Sequence, residues 1–164
     1  ACEGTGEGRL TMSSGDAVLP GELASDPELR ELRPHFRDKI GHVLADLADQ
    51  GFQPRISNAH RTQAQQLEKF RKGYSKSKEV RHHNWGLACD IIDRRWGWKY
   101  TDDCGAFFWA LREACDRHGV ANGSYYKKSN RWKEWNMGWD PAHCWDHLAE
   151  REMMETYGPD QWED

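Results

Sequence analysis

The sequence predicts an α+β fold, a small antiparallel sheet with helices packed on one face, closed as a single domain. Three observations predict it. Residues 29–47 and 107–115 repeat apolar side chains every three or four positions, the period of an amphipathic helix. Residues 52–60, a short segment containing Ile56 between Gly51 and a polar run, and the apolar stretch 87–92 have the length and setting of strands. The chain has 164 residues, enough for one hydrophobic core of ordinary size.

Taken in order, residues 1–25 are rich in Gly, Ser and acidic side chains without periodicity and read as an irregular lead-in to a domain over 26–164. Asp26 suits a helix N-cap with Pro27 at the first helical position, and Leu29, Leu32, Phe36, Ile40, Val43 and Leu47 form one apolar face up to Gly51. Pro34 should kink or split that helix, because it lacks an N–H and clashes with the preceding turn. Strand 52–60 follows, then a helix over 62–72 built from strong helix formers and broken at Gly73. Residues 87–92 read as a buried strand. Asp102 or Asp103 caps a third helix, with Phe107, Phe108, Leu111, Ala114 and Cys115 inward and Gly119 as its stop. From Val120 to Trp145 aromatic and polar residues alternate loosely, which predicts short antiparallel strands turning at Asn122-Gly123 and Ser129-Asn130. A helix over 148–157 closes the chain.

Composition bounds function. The formal net charge is −4, the wrong sign for a general nucleic-acid binder, although residues 125–133 interleave basic and aromatic side chains as single-strand binders do. Apolar runs are too short to span a bilayer. The chain starts at Ala1 without a signal peptide, as a processed or excised piece does. Five cysteines (Cys2, Cys89, Cys104, Cys115, Cys144) without CxxC spacing argue against a zinc ribbon or a complete disulfide framework. All nine tryptophans lie from Trp85 onward, so whatever they build belongs to the second half.

Three segments could do chemistry. In the first, His83 and Asp90 are seven residues apart. A continuous helix would separate them by about 10 Å along its axis and a straight strand by about 23 Å, too far to share one ion. Both can reach one ion only if the chain folds back between them, and Gly86 permits that turn; otherwise they are ordinary capping or surface residues. In the second, Asp140, Pro141, His143 and His147 read either as a capped helix with two histidines on one face, or as an extended segment with His143 as a ligand and Asp140 beside a metal-bound water. The third places Arg61 at a strand-to-helix junction, as a salt-bridge partner or as a donor to a substrate oxyanion.

Together, His83-x-x-Gly86-x-Ala88-x-Asp90, the preceding Arg61, Thr62 and Gln66, and the following Asp140-x-x-His143 resemble the zinc peptidoglycan peptidases of the D-Ala-D-Ala carboxypeptidase type, over roughly residues 28–147. That family includes VanY-like carboxypeptidases, vancomycin-resistance dipeptidases and the L-alanyl-D-glutamate endopeptidases of phage endolysins. The resemblance implies that His83, Asp90 and His143 hold Zn2+, that Asp140 is the catalytic acid and base, and that Arg61 binds the scissile carbonyl. Gln66, Trp85 and Trp139 are the further substrate-binding candidates. Two departures stand out: Arg81 replaces the usual Ser before the first ligand, and Cys144-Trp145 replaces a common Phe-Glu after the last.

One Asp and two His suit zinc chemically. Cys89 and Cys144 adjoin ligands, but neighbours in an extended chain point to opposite faces, so they are read as packing residues. His82 rivals His83, and His147 rivals His143 if that segment is helical. His35, His42, His60 and His118 are assigned to surfaces or packing, and Trp109 to helix packing. The expected activity is an L-alanyl-D-glutamate endopeptidase acting as a monomer on peptidoglycan stem peptides at the cell wall, in the periplasm or outside the cell, or after cytoplasmic synthesis and release as a phage endolysin. A D,D-carboxypeptidase or dipeptidase of the same family is the alternative. A non-enzymatic wall-binding module is the other rival, in which a fourth ligand such as Cys144 or His147 would close a structural zinc site.

Overall fold

The computed structural model of the chain describes residues 9–11, 18–20, 26–59, 67–68, 70–73, 86–125, 132–148 and 151. Within them the architecture is α+β. A four-stranded antiparallel sheet has the order β3-β4-β6-β5, made of β3 (Pro54–Asn58), β4 (Ala88–Asp93), β5 (Ala121–Asn122) and β6 (His143–Trp145). Helices α1 (Pro27–Arg30), α2 (Pro34–Asp49) and α3 (Asp102–Arg117) complete it. The lead-in is not wholly irregular, since β1 (Arg9–Thr11) and β2 (Val18–Pro20) pair antiparallel. Three-residue strands are too short for alternation to register in the sequence.

Most elements form for the local reasons their residues suggest. Asp26 accepts the Glu28 N–H at 3.0 Å as N-cap, with Pro27 opening α1. Pro34 splits the expected single helix, starting α2 at a new N-terminus after an extended Arg33. Gly51 (φ +91°) and Gly119 (φ +69°) end α2 and α3 in the left-handed conformation. Of the helix expected over 62–72, residues 67–68 and 70–71 are helical; its first part lies outside the described residues. So does the Ser129-Asn130 turn, and of the closing helix only residues 147–148 and 151 are described, all helical.

Two expectations need correction. The cap of α3 is neither Asp102 nor Asp103 but Thr101, whose hydroxyl accepts the Cys104 N–H at 3.3 Å while both aspartates sit in the first turn. Between Val120 and Trp145 the chain is less β-rich than the alternation suggests. Asn122-Gly123 leads from β5 into a 3-10 turn, η1 (Gly123–Tyr125), and a second, η2 (Lys133–Trp135), follows Trp132.

Among the described residues the core is one cluster shared by the sheet and helices α1, α2 and α3. Leu29 of α1, Phe36, Ile40, Val43, Leu44 and Leu47 of α2, and Phe107, Phe108, Leu111 and Cys115 of α3 are all buried in it. Trp132 is buried there too, edge-on to Phe108 and Tyr100. Trp135 packs flat over Gly105, where a Cβ would come within 2.2 Å of the indole. These two indoles serve the core rather than strands. Trp109 departs the other way: it is exposed on α3, not packed.

Candidate metal centre

The sheet's register brings two of the sequence candidates together. Antiparallel pairing sets Asp90 of β4 directly opposite His143 of β6, and Cys89 opposite Cys144. Successive side chains on a strand point to opposite faces. Cys89 and Cys144 are fully buried toward α3, where Cys144 Sγ lies 3.7 Å from Cys115 Sγ, so Asp90 and His143 share the other face. There His143 Nδ1 and Asp90 Oδ1 are 3.2 Å apart, with side chains 11% and 13% exposed, shielded but reachable from solvent.

The turn before β6 is held from several sides. Asn122 Nδ2, buried, donates to the carbonyls of Pro141 at 2.9 Å and His143 at 3.1 Å. The His143 N–H donates to the Asp140 carbonyl at 3.2 Å, and the Ile91 N–H to the Ala142 carbonyl at 2.9 Å. The Trp145 ring stacks on the His143 imidazole with centroids 5.2 Å apart. The extended alternative for this segment is therefore the one the chain adopts, and Asp140 and Trp139 sit half-buried at the turn. His147 is exposed where the next helix begins.

Behind β6, buried Asp146 accepts from His35 Nε2 at 2.6 Å, with Lys39 Nζ at 3.9 Å, and its N–H donates to the Leu87 carbonyl at 2.9 Å. The Gly86 carbonyl accepts the Arg33 N–H at 2.9 Å. The start of α2 thus ties the glycine turn to the end of β6. Sequence reasoning missed Asn122, Asp146 and His35 as supports. Their side chains reach partners 19 to 111 residues away, and no local spacing announces that.

Electrostatics separate the carboxylate and imidazole from the thiols. Burial, then the neighbouring Cys144 and the Asp90 charge, push the Cys89 thiol up. Burial and the hydrogen-bonded Cys115 push Cys144 up. Buried toward α3, neither sulfur lies on the face that carries Asp90 and His143. A Cys144 fourth ligand, which a closed structural site would use, finds no support, because its sulfur faces α3. Burial, then Asp26 and Glu31, raise the Glu28 carboxyl, against a lowering by Arg55.

His83, Arg61, Gln66 and Trp85 lie outside the described residues, as do the rival His82 and His60. Among the described residues no three His, Cys, Asp or Glu gather as an ion-holding set. The pair that does meet, a carboxylate and an imidazole from adjacent strands, is the mixed oxygen and nitrogen donor set that zinc accepts.

Neither a family model nor a curated protein sequence matches the chain. Solved structures do. The L-Ala D-Glu endopeptidase ChiX of Serratia marcescens matches with a TM-score of 0.52 at 22% identity, over 76% of this chain and 86% of that one. The LD-carboxypeptidase LdcB, whose structure concerns peptidoglycan recognition, matches with a TM-score of 0.51 at 16% identity, over 76% and 64%. The vancomycin-resistance D,D-pentapeptidase VanY, solved in complex with Zn(II), matches with a TM-score of 0.50 at 16% identity, over 76% and 79%. At such identities the likeness is one of fold, and the chain has the fold of the peptidase family that its His83, Asp90 and His143 motifs resemble.

Proposed function

We propose that the protein is a zinc-dependent peptidase that hydrolyses a peptidoglycan stem peptide at its L-alanyl-D-glutamate bond. The observation that carries this reading is the cross-strand pair of Asp90 and His143, set on the solvent-reachable face of the sheet in a peptidase fold. His83, from the motif that contains Gly86 and Asp90, would be the third residue to hold the metal. Zinc held there would supply an acidified water and polarise the scissile carbonyl. Asp140, held at the turn that Asn122 braces, accepts a proton from the attacking water and returns it to the leaving amine. Arg61 hydrogen-bonds the scissile carbonyl oxygen and the oxyanion formed from it. The bond chosen is that of the neighbour ChiX; LdcB and VanY, at similar TM-scores, are an LD-carboxypeptidase and a D,D-pentapeptidase, and the product analysis below separates these actions.

Metal removal and restoration test the reading. Muropeptide cleavage is expected to stop on chelation and return with zinc, and Asp140→Ala is expected to keep bound zinc while losing about 100- to 10,000-fold in rate. Cleavage that ignores chelation, or an Asp140→Ala protein of near-normal rate, overturns it. Mass spectrometry of the products separates release of a whole stem peptide from loss of one terminal D-alanine.

A further inference from the structure

Trp145 is the residue of β6 to which the zinc reading gives no part. It stands two positions after His143, where the resembled family commonly has Glu. Side chains two apart on a strand point to the same face, so the indole shares the face of Asp90 and His143 and not that of the cysteines. Both of its cross-strand partners are alanines, Ala88 on β4 and Ala121 on β5. A methyl group on either flank takes up little of that face, which leaves an indole room to lie along β6. It lies over His143: the ring centroids are 5.2 Å apart and the planes 25° from parallel, an offset stack.

The two neighbours of the imidazole do different things. The second side-chain torsion of a histidine is broad and weakly held, so an unsupported ring swings. The Trp145 stack fixes the plane of the ring, because any large turn of the imidazole drives an edge into the indole. Asp90 Oδ1, 3.2 Å from Nδ1, selects which edge of that plane faces β4. Neither contact alone holds the nitrogen in place.

We infer that Trp145 is a positioning residue for the metal, whose indole keeps the His143 ring in its ligating orientation before an ion arrives. This role rests on the zinc reading of Asp90 and His143 and deepens it. Ligating imidazoles are ordinarily oriented by polar partners. Here an uncharged aromatic face takes part, at a position where the resembled family places a carboxylate. Its contribution is preorganisation: a ring already in place loses less freedom when it binds. An indole carries no charge, so that contribution is expected to be insensitive to ionic strength, as that of a carboxylate would not be.

The test uses the whole chain with two kinds of substitution. Trp145→Phe keeps an aromatic face, whereas Trp145→Leu and Trp145→Met keep apolar bulk without one, and melting of the metal-free proteins checks folding. Zinc affinity is read by competition with a chromophoric chelator at low and high salt. The imidazole is read separately, as the His143 ring-proton resonance of metal-free protein, assigned with His143→Asn. The zinc dissociation constant is expected to rise about tenfold in whichever of Trp145→Leu and Trp145→Met folds, equally at both salt concentrations. In Trp145→Phe it is expected to stay within about threefold of wild type. The wild-type resonance is expected to carry a ring-current shift that the aliphatic variants lose. A folded aliphatic variant of wild-type affinity, or a Trp145→Phe protein as weak as the aliphatic ones, overturns the inference. A loss that high salt removes overturns it too, since that marks an electrostatic effect. A wild type that shows the Trp145-dependent shift and binds no zinc keeps the indole as the brace of His143 and sinks the metal reading instead.

Discussion

At the scale of single residues, Gly86 shows why a glycine stands inside the ligand motif. Its φ is +67°, and a Cβ there would lie 2.6 Å from the Glu31 carbonyl oxygen and 3.1 Å from the Arg33 nitrogen. The left-handed backbone and the close approach of the α1–α2 junction each forbid a side chain. Gly86→Ala is expected to cost about 2–4 kcal/mol, strain plus overpacking, read as a lower denaturant midpoint at unchanged slope. A loss below about 1 kcal/mol would mean that the junction gives way freely. Asp93 makes a second prediction. Burial alone would raise its carboxyl, but hydrogen bonds from the Arg95 side chain and from the Gln53 and Arg95 N–H groups outweigh burial and hold it low. A carboxylate whose folded pKa is depressed stabilises the protein above its unfolded value, about 3.9, and that contribution is lost as pH falls through the folded value. Urea midpoints are therefore expected to drop as pH falls below about 5, and less steeply in Asp93→Asn. An equal slope in both proteins would place the acid sensitivity elsewhere.

Among elements, the legible ones are those whose signals are local. Asp26 with Pro27, the Pro34 break, and the left-handed stops at Gly51 and Gly119 act within a turn of where they stand, and the helices they bound carry the expected buried faces. The cap of α3 lies one or two residues before the expected aspartates because Thr101, Asp102 and Asp103 are all good caps by type. Only the extended backbone at Thr101, φ −134° and ψ 162°, decides between them. Thr101→Ala is accordingly expected to cost about 1 kcal/mol in thermal or denaturant melts, and Asp102→Ala distinctly less. The reverse order would return the cap to the aspartates. Residues 120–145 were harder. Asn122-Gly123 has hairpin chemistry, but the Asn122 side chain is taken by the Pro141 and His143 carbonyls, and Trp132 turns into the core. Tertiary partners there outweigh turn propensity.

Over the whole molecule, residue type and spacing raise Asp90 and His143 only as candidates that the family resemblance then selects, and the meeting of side chains 53 positions apart depends on strand register, which the sequence does not print. Their outward orientation has an inward complement. Cys89 of β4, Cys104 and Cys115 of α3, and Cys144 of β6 are all buried, so the four thiols sample the first strand of the site, both ends of α3 and the strand bearing His143. Alkylation requires a thiolate in contact with reagent, and burial denies both, so labelling of these cysteines must wait for opening of the structure. If sheet and helices form one cooperative unit, pulse alkylation read by peptide mass spectrometry is expected to find all four protected in native protein at pH 8. They should become reactive together across a single denaturant transition. The Cys104 sulfur donates to the Gly97 carbonyl at 3.2 Å near the start of α3, far along the helix from the Cys115 and Cys144 contact. Cys104 labelling ahead of the other three would show that this helix end opens by itself. Cys89 and Cys144 labelling ahead of Cys104 and Cys115 would show instead that β4 and β6, and with them the Asp90 and His143 pair, come apart before α3 does, so that the site is the least stable part of the fold.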